Sequence, residues 1–241
     1  MARSAARAAA MQLVYENLMG GSGEDTLSDI DLHIRSGETI GIIGGTGSGK
    51  STVVNLIPRF YDASVGQVCF LGQDVRKYRR KELRDQIGIV PQKAVLFAGT
   101  VRENMQWGKK DATDEEIWEA LKTAQAEEFI RAKEGGLDAN IEQGGRNLSG
   151  GQRQRLTIAR ALVKKPRVLI LDDSASALDY ATDAALRKAI RQMEGAPTVF
   201  IVSQRTSSLM SADRILVLDD GEATGYGTHE ELLKNCQTYR E

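Results

Sequence analysis

The sequence predicts an α/β fold with a mostly parallel sheet covered by helices, together with an N-terminal antiparallel β portion and an inserted helical subdomain. Val168–Leu171 and Thr198–Val202 are continuous apolar runs, typical of parallel strands buried on both faces. Ile30–Ile34 alternates apolar and polar residues, as a half-exposed strand does. Such strands alternate with helical patterns along most of the chain, which favours the α/β class. Residues 93–160 carry little strand pattern, so we place the helical subdomain there.

Composition indicates a globular domain and excludes several other classes. A length of 241 residues with 41% hydrophobic content suits one large α/β domain or two small ones. We assign residues 23–241 to the main domain and residues 1–22 to an N-terminal linker or a non-native segment. The formal net charge of -1 argues against a strongly basic nucleic-acid surface. No apolar run approaches the ~18 residues of a membrane span, so any action on a membrane would depend on another chain or segment.

A glycine-rich loop, Gly44–Ser51, follows the predicted strand Thr39–Ile43 and precedes a predicted helix at Thr52–Ile57. The pattern G-x-x-x-x-G-K-S in this strand–loop–helix setting is a P-loop, whose backbone N–H groups cradle phosphate. Lys50 should reach the β- and γ-phosphates, and the Ser51 hydroxyl should bind Mg²⁺. The alternative is an ordinary glycine-rich turn. The residues predicted to bind nucleotide here are Gly44, Gly45, Thr46, Gly47, Ser48, Gly49, Lys50, Ser51 and Thr52.

Polar residues follow other predicted strands, where a P-loop protein needs its metal and water ligands. Asp172 and Asp173 come directly after Val168–Leu171, and Asp172 fits a Mg²⁺ ligand acting through water. Solvated strand-end acids are the alternative. Gln92 follows a strand that Pro91 ends, and its amide could touch Mg²⁺ or the attacking water, although taken alone it is better interpreted as an ordinary loop glutamine. The predicted metal ligands are therefore Ser51, Gln92 and Asp172.

A second phosphate-binding helix start is predicted at Ser149, Gly150, Gly151 and Gln152, ahead of a long helical pattern. If this cap lies on the helical subdomain, both helix starts cannot easily grip one γ-phosphate within one subunit. The pattern therefore indicates a site shared between two subunits, each of which supplies one half.

Taken together, these motifs resemble the ATP-binding cassette of ABC transporters from about Leu27 onward. They occur in the family's order: Walker A at Gly44–Ser51, the Q-loop at Gln92, the signature at Leu148–Gln152, Walker B at Val168–Asp172 and the D-loop at Ser176–Asp179. Residues 89–104 and 142–145 resemble the exporter branch. The resemblance implies ATP and Mg²⁺ as cofactors and a head-to-tail dimer that powers or gates a membrane exporter. It also implies the exporter's transmembrane domain as a partner, a place at the cytoplasmic face of the cell membrane, and no nucleic acid.

The sequence departs from the family at catalytic positions. The residue after Walker B is usually a glutamate that polarises the attacking water, but this chain has Asp173, which is one methylene shorter. The family's switch histidine is replaced by Gln204, whose amide can donate a hydrogen bond but cannot become a cation. The changes resemble the degenerate half of a heterodimeric exporter. We therefore predict Asp173, Gln204 and Gln92 as catalytic residues, slow hydrolysis at this chain's own site, and a non-identical second cassette as partner.

The adenine-stacking aromatic and the wider role leave alternatives open. Tyr15 is the only nearby candidate to stack on adenine, and a strand-edge tyrosine is the other interpretation. A regulatory module that clamps nucleotide without hydrolysing it is a second hypothesis for the chain. A soluble ABC ATPase acting on nucleic acid or ribosomes is a third, although that class generally carries two cassettes or additional domains.

Overall fold

The structure is a computed structural model that describes residues 11–15, as backbone only, and residues 30–240. Its strands are β1 (Met11–Tyr15), β2 (Ile30–Ile34), β3 (Thr39–Gly44), β4 (Gln67–Phe70), β5 (Gln73–Asp74), β6 (Ile87–Val90), β7 (Gly99–Thr100), β8 (Asn140–Ile141), β9 (Val168–Asp172), β10 (Thr198–Val202), β11 (Arg214–Asp219) and β12 (Glu222–Gly227). Its helices are α1 (Lys50–Leu56), α2 (Arg80–Asp85), α3 (Val101–Gln106), α4 (Asp114–Thr123), α5 (Glu127–Arg131), α6 (Gly150–Leu162), α7 (Tyr180–Arg191), α8 (His229–Asn235) and α9 (Gln237–Arg240).

The chain divides into two compact units, the first of which comprises Met1–Ile87 and Thr198–Glu241. Its central strand, β3, pairs in parallel with β10 on one side and with β11 on the other. Strand β12 returns antiparallel beside β11. The side chains of Ile40, Ile42 and Phe200 are fully buried, as continuous apolar strands in a covered parallel sheet require. Helix α1 packs on β3 and β10, so the loop between β3 and α1 starts from the middle of this core.

The first unit also contains the antiparallel portion, with the strand order β2-β1-β4-β5. Ile30–Ile34 alternates buried and exposed residues, as predicted. Met11–Tyr15, which lie within the segment predicted as an N-terminal linker or non-native segment, form an interior strand that pairs antiparallel with β2 and with β4. The remaining residues of the predicted 1–22 segment lie outside the described residues.

The second unit, Gly88–Pro197, contains α3 to α7 and strand β9, which neighbours β6 in strand order. Helix α6 packs against α3 and α4 around Ile117, Leu121 and Leu156, whose side chains are fully buried. A Cβ on Gly108 would lie 2.1 Å from the carbonyl oxygen of Arg160, so the chain after α3 approaches the α6 backbone closely there. The limits 93–160 for the helical subdomain stay a prediction.

Local helix signals in the sequence are confirmed where they act within one turn. Threonine followed three residues later by glutamate is the sequence pattern of a capping box, and Thr228 and Glu231 form such a box at the start of α8, where Thr228 Oγ1 accepts from the Glu231 N–H at 3.2 Å. The α/β class with a mostly parallel sheet, an antiparallel portion and covering helices is confirmed as a whole. Among the residues described, no helix has the length and apolar character needed to cross a bilayer.

Candidate nucleotide-binding site

The P-loop leaves β3 at its last residue, Gly44, and enters α1 at Lys50. Gly47 and Gly49 have φ values of 84° and 87°, in the left-handed region that favours glycine. No side chain caps α1, because Gly49 occupies its N-cap position. A Cβ on Gly45 or Gly47 would meet nothing within 4 Å. The loop therefore offers an open cradle of backbone groups at a helix start, which fits a phosphate.

The Lys50 ammonium group is held against this loop. Its Nζ donates to the Gly44 carbonyl oxygen at 2.9 Å, to the Gly45 carbonyl oxygen and to Ser48 Oγ at 3.3 Å. Lys50 and Ser48 are buried, with exposed fractions of 8% and 4%. The positive charge is thus fixed beside the cradle by acceptors that phosphate oxygens can replace, since an ammonium bonds more strongly to an anion than to a neutral carbonyl.

Gln204 lies at the same edge of the sheet as the P-loop. The Ser203 N–H donates to the Ile42 carbonyl oxygen at 3.0 Å, so the pairing of β10 with β3 continues to the residue before Gln204. Gln204 is exposed, whereas Ser203 is buried and its Oγ accepts from the Arg205 N–H at 3.0 Å. The parallel register therefore brings the position of the predicted switch residue to the strand ends from which the P-loop starts.

In the second unit, Asp172 ends β9 and Asp173 follows it with a φ of 42°. Both are half-buried. Gln92 Nε2 donates to Asp173 Oδ2 at 3.3 Å across 81 positions of sequence. The structure thus brings together two of the predicted catalytic residues, a contact that no sequence pattern predicts.

The signature segment begins α6 with a reciprocal capping box. Ser149 Oγ accepts from the Gln152 N–H at 3.2 Å, and Gln152 Oε1 accepts from the Ser149 N–H at 3.0 Å. The side-chain carbonyl oxygen of Gln152 is therefore occupied by the Ser149 N–H, while the Ser149 hydroxyl keeps a hydrogen that it can donate. A Cβ on Gly151 would lie 3.3 Å from the Ala177 carbonyl oxygen, whereas Gly150 has its nearest neighbour at 4.0 Å.

Arginines on α6 hold the residues around this helix start. Arg153 Nη1 donates to the Leu148 carbonyl oxygen at 2.8 Å and to the Gly145 carbonyl oxygen at 3.3 Å. Arg155 Nε donates to the Gly151 carbonyl oxygen at 3.4 Å. Downstream, Asp179 caps α7, and hydrogen bonds from the backbone and hydroxyl of Thr182 hold the pKa of its carboxyl below the ordinary value. The signature turn is therefore rigidly supported from within the second unit.

The capping box makes a prediction that separates stability from function. Ser149→Ala should cost about 1 kcal/mol of the free energy of unfolding, because the first turn of α6 loses its cap. Thr113→Ala removes the corresponding box from α4 and should cost a similar amount. Thermal unfolding measures both losses. Only Ser149→Ala should also reduce the ATPase activity of an assembled cassette dimer, and equal activities of the two variants would contradict a functional role of Ser149.

The donors available for a metal fit Mg²⁺ bound mainly through phosphate and water. Within residues 11–15 and 30–240, no group of three or more histidine, cysteine, aspartate or glutamate residues could hold a metal ion. Mg²⁺ commonly needs only one or two protein ligands beside substrate phosphates, and the residue types suit it: Ser51 in the first unit has a hydroxyl oxygen, and Gln92 and Asp172 in the second unit have amide and carboxylate oxygens. Their role as ligands stays a prediction. The side chain of Tyr15 lies outside the described residues, so its adenine-stacking role also stays a prediction.

The fold and the loop geometry define a P-loop nucleotide-binding domain. The ABC transporter family profile matches residues 27–176. An uncharacterized ABC transporter ATP-binding protein of Mycobacterium bovis is 46% identical over 224 residues, covering 92% of this chain and 38% of the relative. The Bacillus subtilis protein named "Probable multidrug resistance ABC transporter ATP-binding/permease protein YheI" is 44% identical over 220 residues, covering 91% of this chain and 38% of the relative.

A solved structure of a bacterial Atm1-family ABC exporter with ATP bound is also similar, with a TM-score of 0.88 and 33% identity. The similarity covers 95% of this chain and 41% of that chain. The chain therefore belongs to the ABC transporter family and is homologous to the ATP-binding domains of its exporters. It spans about 38% of the length of these curated relatives. ABC domains generally bind ATP, usually with Mg²⁺, and are generally ATPases.

Proposed function

We propose that this chain binds Mg²⁺-ATP, dimerises head-to-tail with a second, non-identical cassette, and powers or gates a membrane exporter from the cytoplasmic face of the cell membrane. The similar YheI protein is named as a combined ATP-binding and permease protein, and the similar solved structure is an exporter with ATP bound. These relatives support a transmembrane domain as the partner. The transported substrate would be recognised by that domain and not by this chain.

In the proposed role, the nucleotide is held mainly by the P-loop. Its backbone N–H groups and Lys50 would bind the phosphates, and the Ser51 hydroxyl would bind Mg²⁺ with Gln92 and Asp172. Mg²⁺ would neutralise charge that develops on the transferred phosphoryl group. The signature residues Ser149 and Gly151 would face the nucleotide bound by the partner cassette, so the partner's site would be completed by this chain.

We further propose that hydrolysis at this chain's own site is slow. The observation that carries this part is the pair of substitutions at Asp173 and Gln204, both of which spare the P-loop. General-base catalysis contributes on the order of 10²–10⁴ in rate, and a misplacement of about 1 Å can cost ~10². The carboxylate of Asp173 is one methylene short, and the amide of Gln204 adds no positive charge to the transition state. Binding should therefore be retained while turnover is reduced.

The test is purification of the full-length protein in mild detergent, followed by identification of whatever chain co-purifies in equal amount. We expect a second ABC chain with glutamate and histidine at the positions that correspond to Asp173 and Gln204. In the assembled pair, blocking the P-loop of that partner should remove most ATPase activity, whereas Lys50→Ala in this chain should remove ATP from one site with a smaller loss of activity. A homodimer with strong ATPase activity would contradict the proposal.

A further inference from the structure

The hydrogen bond between Gln92 and Asp173 joins two parts of the second unit that are distant in sequence. Gln92 lies two residues beyond the end of β6, and Asp173 lies one residue beyond the end of β9. These strands are neighbours in the sheet order, which explains how positions 81 apart meet. If Gln92 served only to bind Mg²⁺, this contact with Asp173 would not be needed. The contact therefore indicates a second role for Gln92.

The position of the Asp173 carboxylate is set from two sides. Its backbone has a φ of 42°, a left-handed conformation that aspartate and asparagine adopt more readily than most residues. Ser174, which follows, is buried with an exposed fraction of 4% and begins a short 3₁₀ helix, so the turn is anchored on its C-terminal side. The Gln92 amide then contacts the carboxylate itself at 3.3 Å. A short side chain on a constrained backbone has few rotamers, and the hydrogen bond from Gln92 favours those that keep the carboxylate within reach of the amide.

A glutamine amide has two chemically different ends, which allows Gln92 to serve two groups at once. The NH₂ end donates only, and the carbonyl oxygen accepts or ligates a cation. In the structure the donor end is used on Asp173 Oδ2. The oxygen branch of the same amide is the end that suits Mg²⁺. The contact is therefore compatible with the predicted metal role of Gln92 and extends it.

We propose that Gln92 is the positioning residue for Asp173, fixing the orientation of its carboxylate through Nε2 while its Oε1 serves the metal. The proposal rests on the proposed function, in which Asp173 orients the attacking water. With Mg²⁺ bound, the oxygen end of this amide would hold the metal while its nitrogen end holds the shortened carboxylate, so the direction in which Asp173 points would depend in part on Gln92. Because the side chain of Asp173 is one methylene shorter than that of glutamate, its orientation determines how well the carboxylate can polarise the attacking water.

The first experiment needs neither nucleotide nor turnover. The side-chain amide signal of Gln92 in a ¹H–¹⁵N spectrum of the chain is identified by its loss in Gln92→Glu. Asp173→Ala should shift this signal, because its hydrogen-bond acceptor is removed. Asp220→Ala is the matched control, since Asp220 is an exposed aspartate with a similar φ of 45° in the turn between β11 and β12. A Gln92 signal that Asp173→Ala leaves unchanged would overturn the proposal.

The second experiment is a double-mutant cycle on the steady-state ATPase kinetics of this chain's own site, measured over a range of Mg²⁺-ATP concentrations in the assembled pair with the partner's P-loop blocked, using Gln92→Glu, Asp173→Asn and the double variant. Gln92→Glu keeps an oxygen for the metal and removes the donor, so kcat should fall about 10-fold or more while KM stays close to that of the wild type. Because the two residues act together, the double variant should be no more than about threefold slower than the slower single variant.

Rates that multiply in the double variant would mean independent roles and would contradict the coupling. Gln192→Ala, which removes an exposed glutamine at the end of α7, should leave both kcat and KM unchanged. If this chain's own site shows no turnover in the assembled pair with the partner's P-loop blocked, the hydrolytic part of the proposed function fails. The amide spectrum would still decide whether Gln92 positions Asp173, so the two failures are distinguishable.

Discussion

Replacing Gly44 by alanine is expected to destabilise the first unit strongly and to weaken ATP binding. A Cβ at this position would lie 2.2 Å from the Leu218 carbonyl oxygen and 2.4 Å from Ser48 Oγ. The Leu218 carbonyl belongs to the β3–β11 ladder, in which Leu218 pairs with Gly44, and it cannot rotate away as a side chain would. Overpacking costs about 1–3 kcal/mol and occasionally more, and we expect the upper end because one clashing atom is backbone.

The measurement is thermal unfolding combined with equilibrium binding of ATP. A loss of about 3 kcal/mol corresponds to a fall in Tm of about 6–12 °C for a domain of this size. ATP affinity should fall about 10-fold to 100-fold, because the Ser48 hydroxyl that holds Lys50 is displaced and the charge-assisted contact to phosphate is lost or weakened.

Gly45→Ala is the matched control, since a Cβ there would meet nothing within 4 Å. Its Tm should stay within about 2 °C of the wild type, as for substitutions that disturb no packing. Equal losses of stability in the two variants would show that the strand pairing at Leu218 does not restrict position 44.

The contrast between Gly44 and Gly45 shows where sequence reasoning ends. Both glycines belong to the same motif, and the motif predicts the loop, its strand and its helix. Gly44, unlike Gly45, has no room for a side chain, because the parallel register places Leu218 of β11 beside it. That strand lies more than a hundred residues later in the chain. Motifs encode local geometry and chemistry, whereas close approaches depend on which strands become neighbours.

The same distinction accounts for the other differences. The capping box of Thr228 and Glu231 was predictable because both partners lie within one helical turn. The pairing of Met11–Tyr15 with β2 and β4, which flank it on both sides, could not be predicted from the local sequence, because the partner strands lie later in the chain and an alanine-rich and arginine-rich stretch precedes it. The contact of Gln92 with Asp173 carries no sequence signal, since each residue was identified from its own strand end. A role could be proposed for each residue separately from the sequence, whereas their contact could not be predicted from it.

The largest expected change in activity comes from restoring the family's residues. Asp173→Glu together with Gln204→His should raise the steady ATPase rate of the chain about 10²-fold or more, because general-base positioning and a cationic donor are both returned. Each single variant should give a smaller rise. Gln204 is exposed at the strand ends beside the P-loop, so an imidazole there meets no packed neighbour that would oppose it. ATPase activity of the isolated domain, measured at saturating Mg²⁺-ATP, checks the expectation.

A gain in catalysis must be separated from a gain in the folded fraction, and the backbone at Asp173 allows this. Its left-handed φ of 42° suits aspartate better than glutamate, so Asp173→Glu should lower stability by up to about 1 kcal/mol while the rate rises. Asp220→Glu makes the same change at a φ of 45° outside the site, and it should lower Tm similarly without raising the rate. If the ATPase rate of the double variant remains as low as that of the wild type, other features needed for hydrolysis are impaired besides these two residues. The chain would then act as a nucleotide clamp that closes on ATP without consuming it, and its contribution to transport would come from binding alone.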